Sequence, residues 1–157
     1  MNAADILSKA RLIGIRITTA ESCTGGMVAA ALTAVAGSSD VFDRGFVTYS
    51  NDAKIAMLGV SPATLDTYGA VSEQVAGAMA EGALSRANAG LAVAVTGIAG
   101  PGGSDFKPEG RVCFGLSAAG KPTLVQTIEF GALGRPNVRA AATDYALALL
   151  GQALARA

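Results

Sequence analysis

Two stretches of the chain carry residue types capable of nucleophilic chemistry: Thr19-Ala20-Glu21-Ser22-Cys23-Thr24-Gly25-Gly26 and Thr48-Tyr49-Ser50-Asn51-Asp52-Ala53-Lys54. The chain has no histidine, which excludes a Ser-His-Asp triad and a Cys-His pair. A hydroxyl or thiol at a strand-to-helix turn, with lysine or tyrosine as its base, is what remains. Ser22 follows a predicted strand, where helix N-termini present unpaired N–H groups to ligands. Gly25 and Gly26 let the backbone approach a ligand closely. Ser22 or Thr24 could equally cap the following helix; as a nucleophile, Ser22 would turn its oxyanion toward the amides of the same turn. Cys23 is the rival nucleophile, acidified if it sits at a helix N-terminus, or else a small buried apolar side chain.

Lys54 is the candidate base. With Asn51 as N-cap, Lys54 falls at the third helical position, inside the positive end of the macrodipole. Its pKa is pressed downward there, and burial would press it further. Such a lysine can act as general base toward serine; the alternative is a solvated side chain paired with a carboxylate. Tyr49 could relay a proton between the two, or pack with its hydroxyl on another partner. Thr96-Gly97-Ile98-Ala99-Gly100-Pro101-Gly102-Gly103 suits a backbone cradle for an anion or a planar ring, but it is neither a P-loop nor a GxGxxG opening a helix. Arg135 and Arg139 could clamp a phosphate, or stand as surface charges.

The elements that must hold these residues alternate between helix and strand periodicity. Residues 3–12 read as an amphipathic helix with Ile6, Leu7, Ala10 and Leu12 apolar, ended by Gly14. A strand over 15–20 leads through the 22–26 turn into a helix over 27–35, closed by Gly37. A second strand over 42–50 precedes a helix over 52–58. Ser61-Pro62 opens a short helix ending near Gly69, and Ser72 opens another reaching Asn88. Residues 91–96 form an apolar strand of the kind buried on both faces. The glycine-rich loop 97–110 is the longest connection, a length often reserved for function. Strands over 111–118 and 124–130 form a hairpin, and a helix over 136–155 closes the chain. This order predicts a three-layer α/β/α sandwich with a mixed, roughly five-stranded sheet.

Composition narrows the function classes. A chain of 157 residues is one domain long and buries roughly 68–70% of its unfolded surface, enough to dispense with a disulfide or structural metal. Its 12 basic and 12 acidic residues balance, leaving no electrostatic footprint for nucleic acid or an anionic membrane. Few aromatics and no tryptophan argue against a base-stacking surface. No apolar run approaches the ~20 residues that cross a bilayer, and Met1-Asn2-Ala3-Ala4-Asp5 lacks the features of a signal peptide. Cys23 and Cys113 show no zinc-ligand spacing. A reduced cytoplasmic protein without cofactor or metal is expected.

Four motifs in order resemble the CinA C-terminal domain family, the nicotinamide-nucleotide amidases. They are Ala20 to Gly26, Gly45-Phe46-Val47-Thr48-Tyr49-Ser50-Asn51-x-x-Lys54, Gly69-Ala70-Val71-Ser72, and Val95-Thr96-Gly97-Ile98-Ala99-Gly100-Pro101. The resemblance implies hydrolysis of the carboxamide of nicotinamide mononucleotide to nicotinate mononucleotide and ammonia. It implies Ser22 as nucleophile, Lys54 and Tyr49 as its base system, and Thr96 in the substrate pocket. Thr24, Gly25, Gly26, Gly97, Arg135 and Arg139 complete the expected substrate-binding set. Longer members of the family carry a further N-terminal domain, so residues 1–157 are expected to be a stand-alone amidase domain, assembling as a homo-oligomer, taken as a dimer. Two departures stand out: Gly134-Arg135 resembles a Gly-Asp-Arg element without its aspartate, and Lys107-Pro108-Glu109-Gly110 has Glu where Val is usual. They bear on the phosphate contacts and on loop packing. The competing class is a non-catalytic nucleotide sensor or competence- and DNA-damage-related regulatory module, which ammonia release would separate from an amidase. A penicillin-recognising Ser-Lys enzyme is excluded, because the third residue after Ser22 is Gly25 rather than Lys and no Lys-Thr-Gly occurs.

Overall fold

The computed structural model describes residues 1–104 and 106–157, so position 105 of the glycine-rich loop lies outside the described residues. Five strands form one sheet in the order β2-β1-β3-β4-β5. They are β1 (Ile17–Glu21), β2 (Phe42–Val47), β3 (Leu91–Gly97), β4 (Arg111–Ala118) and β5 (Leu124–Glu129). β1 lies parallel to both β2 and β3, whereas β3, β4 and β5 run antiparallel in sequence. The sheet is therefore mixed, as expected. No helix is long and apolar enough to cross a membrane among the described residues.

Helices cover both faces. α1 (Ala3–Ile13), α2 (Met27–Thr33) and α6 (Arg135–Ala155) form one layer, and α3 (Asn51–Leu58), α4 (Pro62–Tyr68) and α5 (Glu73–Arg86) the other. The alternation of β3 decides what each layer meets. Leu91, Val93 and Val95 pack with Ile6, Leu7, Val28, Leu32, Val138 and Leu150 on the α6 side. Ala92 and Ala94 face α5 together with Ala20, Val75, Met79 and Ala83. Small side chains on that second face let α5 come close: a Cβ added to Gly115 would stand 2.3 Å from the Ala76 carbonyl oxygen. Leu12, expected on the apolar face of α1, is exposed, because it lies opposite Ile6, Leu7 and Ala10 at 100° per residue.

Two boundaries change the reading of the site. The N-cap of α3 is Ser50, whose hydroxyl accepts the Ala53 N–H at 3.0 Å, so Asn51 is the first helical residue and Lys54 the fourth. β1 begins two residues later than expected and extends to Glu21. Beyond its end the pairing continues: Thr48 N–H donates to Glu21 O at 2.8 Å and Ser22 N–H to Val95 O at 2.9 Å. These bonds draw the carboxyl ends of β1, β2 and β3 together, the place where open α/β sheets bind ligands.

Candidate active site

Side chains alternate across a strand, and the end of β1 uses both directions. Glu21 turns toward α2 and Ser22, the next residue, toward α3. The Lys54 Nζ lies 3.0 Å from Ser22 Oγ and donates to Thr48 O at 2.8 Å. Lys54 is 1% exposed, and none of the ion pairs among the described residues includes it. Burial without a counter-ion disfavours the ammonium form and lowers its pKa from 10.5 to about 8, against a smaller opposing effect from Cys23. The direction is the expected one, with desolvation rather than the helix dipole as its main cause. A neutral amine there can accept the Ser22 proton while still donating to Thr48 O.

Glu21 is what frees Ser22 from capping. Its fully buried carboxylate accepts Thr24 Oγ1 at 2.7 Å, the Val28 N–H at 2.9 Å and the Ala29 N–H at 3.0 Å. Gly26, the N-cap of α2, supplies no side-chain cap, so the orphan amides of the first turn are taken by Glu21. Sequence reasoning passed over this residue; the signal was an acid at the end of a strand otherwise buried. Thr24 Oγ1 is committed to Glu21, and Gly26 takes a φ of 106°, a region L side chains rarely enter.

The same arrangement decides the character of Cys23. Its thiol is buried and pushed up to about 11, by desolvation first and by the Glu21 charge among the smaller causes. A helix N-terminus would acidify a thiol, but α2 spends its first amides on a carboxylate. Arg139 braces the turn from outside, Nε donating to Cys23 O at 3.0 Å and Nη2 to Thr24 O at 3.4 Å. It does not line the cavity over Ser22, nor do Thr24, Gly25 and Gly26.

That cavity has a volume of about 210 Å³ and is lined by Ser22, Cys23, Tyr49, Lys54, Thr96, Gly97, Ser104, Lys107 and Arg135, among others. Among its described lining residues are three cations and no carboxylate. Lys107 Nζ donates to Tyr68 O at 2.8 Å and Val71 O at 2.5 Å, tying the glycine-rich loop to the α4–α5 connection. Thr96 Oγ1 donates to Ala70 O at 2.8 Å in the same connection. Tyr49 is 58% exposed, and its hydroxyl accepts from Arg135 Nη2 at 2.5 Å; among the described residues it makes no hydrogen bond to Ser22 or Lys54. Arg135 Nη1 donates to Gly100 O at 2.7 Å. The N–H groups of Cys23 and Thr24 have no protein acceptor among the described residues. A larger cavity of about 320 Å³ lies between Phe114, Leu116, Leu149 and Leu154, but it places no hydroxyl or thiol beside a buried amine. Of these two cavities, the smaller holds the Ser22 hydroxyl beside the Lys54 amine.

The model of the CinA C-terminal domain family matches residues 2–154. The chain is 52% identical over 140 residues to the nicotinamide-nucleotide amidohydrolase PncC of Escherichia coli (strain K12), covering 88% of this chain and 84% of that protein. It is 59% identical over 109 residues to a putative competence-damage inducible protein of Symbiobacterium thermophilum, covering 69% of this chain but 26% of that longer relative. The crystal structure of the competence/damage inducible protein CihA from Agrobacterium tumefaciens superposes with a TM-score of 0.92 at 52% identity, covering 97% of this chain and 92% of that one.

Proposed function

Because the chain belongs to the CinA C-terminal domain family, we propose that it is a nicotinamide-nucleotide amidohydrolase, converting nicotinamide mononucleotide and water to nicotinate mononucleotide and ammonia. The observation that carries the reading is the buried amine of Lys54, without a carboxylate partner among the described residues, 3.0 Å from Ser22 Oγ.

The reaction runs in two halves. Neutral Lys54 takes the Ser22 proton as Oγ attacks the carboxamide carbon, whose electrophilicity the pyridinium ring raises. The tetrahedral oxyanion falls to a backbone donor of the turn; the N–H of Cys23, which lines the cavity, is the candidate. Collapse breaks the C–N bond, and the Lys54 ammonium passes its proton to the departing nitrogen, which leaves as ammonia. In the second half Lys54 takes a proton from water, the hydroxide attacks the ester, the proton passes from Lys54 to Ser22 Oγ as the acyl–oxygen bond breaks, and the carboxylic acid so formed gives its proton to solvent and leaves as the carboxylate. Thr96 and Gly97 line the pocket beside the reacting group, while Lys107 and Arg135 supply positive charge for the phosphate. Tyr49, held by Arg135, stands at the substrate's side of the site rather than between Ser22 and Lys54.

The test is incubation with nicotinamide mononucleotide, reading ammonia and nicotinate mononucleotide, for the native chain and for Ser22→Ala. Stoichiometric release by the native chain and none by the variant is expected. A native chain that binds the mononucleotide and releases no ammonia would replace this reading by the nucleotide-sensing one.

A further inference from the structure

Glu109 has two partners that the motif carrying it does not explain. It is half-buried at the end of the glycine-rich loop. Its Oε1 accepts the Gly102 N–H at 2.7 Å, and its Oε2 accepts the Gly134 N–H at 3.1 Å. Gly134 is the N-cap of the 21-residue α6 and supplies no side-chain cap. The residue after it is Arg135. On the other side, Arg135 Nη1 donates to Gly100 O, and Gly100 is seated against Glu109 so closely that a Cβ there would stand 2.4 Å from Oε1. One carboxylate therefore organises both the backbone that presents Arg135 and the loop that supplies its acceptor. No ion pair of Glu109 is present among the described residues; its charge is met by charge-assisted amide bonds and the positive end of α6.

This alters what the start of α6 can do. The Gly134 amide is already occupied by Glu109, so what this end offers a substrate anion is Arg135, through its guanidinium. We propose that Glu109 is a positioning residue that latches the glycine-rich loop to α6, holds Arg135 over the cavity mouth, and so sets the preference for a phosphorylated substrate. The proposal rests on the amidohydrolase reading for its substrate and deepens it by naming what makes the phosphate count.

Two variants break the latch to different degrees. Glu109→Gln keeps the shape, but its amide nitrogen must face one of the two N–H donors, so one bond is lost. Glu109→Val removes both. With Glu109→Gln, KM for nicotinamide mononucleotide should rise about ten-fold, the scale of one lost hydrogen bond to a charged group, with kcat within two-fold. Turnover of nicotinamide riboside, which lacks the phosphate, should respond little. In an Arg135→Ala background the Glu109→Gln effect on KM should vanish, since both changes remove the same contact. Equal losses on mononucleotide and riboside, or additive effects of the two substitutions, would overturn the proposal in favour of a merely structural Glu109.

Failure of the latch and failure of the amidohydrolase reading are distinguishable. Amide hydrogen exchange at Gly102 and Gly134 should be slow in the native chain, accelerated at one of the two in Glu109→Gln and at both in Glu109→Val, whether or not ammonia is released. Should the native chain release none, calorimetric binding of nicotinamide mononucleotide carries the comparison: about ten-fold weaker binding by Glu109→Gln supports the latch, and unchanged binding overturns it. If Glu109→Val fails to fold by circular dichroism, Glu109→Gln decides alone.

Discussion

Replacing Lys54 by Met tests the centre of the mechanism, because it keeps the length of the buried stem and deletes the amine. General-base loss costs roughly 10²–10⁴-fold in rate, and the lower part of that range is the least this substitution should cost in kcat. The native profile should carry the signature of the same group. With a pKa of about 8, roughly one Lys54 in ten is neutral at pH 7, so kcat/KM should climb about ten-fold between pH 7 and 9 and then level. Stability follows with a definite sign. Between about 8 and 10.5 the unfolded chain holds a proton on Lys54 that the folded chain does not, so the contribution of this residue to stability rises with pH across that window. Below about 8 the cost of burying the ammonium is present in full, roughly 3 kcal/mol at about 1.4 kcal/mol per pH unit. Met removes that cost and forfeits the bonds to Thr48 O and Ser22 Oγ, each worth about 1 kcal/mol. Lys54→Met should therefore melt no lower than the native chain at pH 7 and lose the rise in Tm above pH 8. Steady-state kinetics from pH 6 to 10 and thermal melts over the same range read both. A folded Lys54→Met within ten-fold of native kcat, or a native rate flat from pH 7 to 9, would refute the base assignment.

Ser22→Ala should abolish ammonia release while Cys23→Ala keeps most of it, and iodoacetamide should modify Cys23 slowly at pH 7, since its thiol is held up at about 11; the reverse ranking in the two variants would make this a cysteine amidase. Arg135→Ala should raise KM for the mononucleotide far more than it lowers kcat, as loss of uniform binding does; unchanged affinity by calorimetry would move the phosphate elsewhere. Glu21→Gln leaves one of the donors on its carboxylate facing an amide N–H, which should cost about 1–3 kcal/mol of stability and lower kcat by displacing Ser22; native Tm and kcat would show that the turn holds without it. Gly115→Ala should destabilise the fold by overpacking, about 1–3 kcal/mol, because its new methyl meets the Ala76 carbonyl 2.3 Å away; an unchanged melt would mean that α5 can yield.

The layered α/β architecture and the Ser22–Lys54 pairing were legible in the sequence for reasons that are local. Periodicity names helices and strands, and a chain without histidine leaves few bases for a serine at a strand end. What was not legible depends on choices between near-equivalent neighbours or on partners far along the chain. Ser50 and Asn51 are both good N-caps, and nothing in their spacing says which one caps; that Ser50 does so turns Lys54 by one residue, about 100°, around α3. Tyr49 stands beside the Lys54 motif in sequence, yet its hydroxyl meets Arg135, 86 positions away. The cause of the lysine's lowered pKa was likewise tertiary, since the sequence shows the helix terminus but not the burial.

Glu21 and Glu109 share a logic that neither shows alone. Two of the helices at the site begin at a glycine N-cap with no side chain to offer, Gly26 for α2 and Gly134 for α6. A Ser, Thr or Asp at those caps would satisfy the terminal amides locally, but Gly26 takes a φ of 106° and Gly134 of 88°, a region costly for side-chain-bearing residues. The chain instead brings a carboxylate from outside each helix: Glu21 from β1 to Val28 and Ala29, and Glu109 from the glycine-rich loop to Gly134. The helix termini are thereby stabilised without drawing on the neighbouring functional groups. Ser22 keeps its hydroxyl for Lys54, and Arg135 keeps its guanidinium at the cavity mouth. Remote capping has a kinetic corollary, because each carboxylate couples the order of a helix start to the placement of a residue at the site. Loss of Glu21 should therefore appear chiefly in kcat, through Ser22, and loss of Glu109 chiefly in KM, through Arg135.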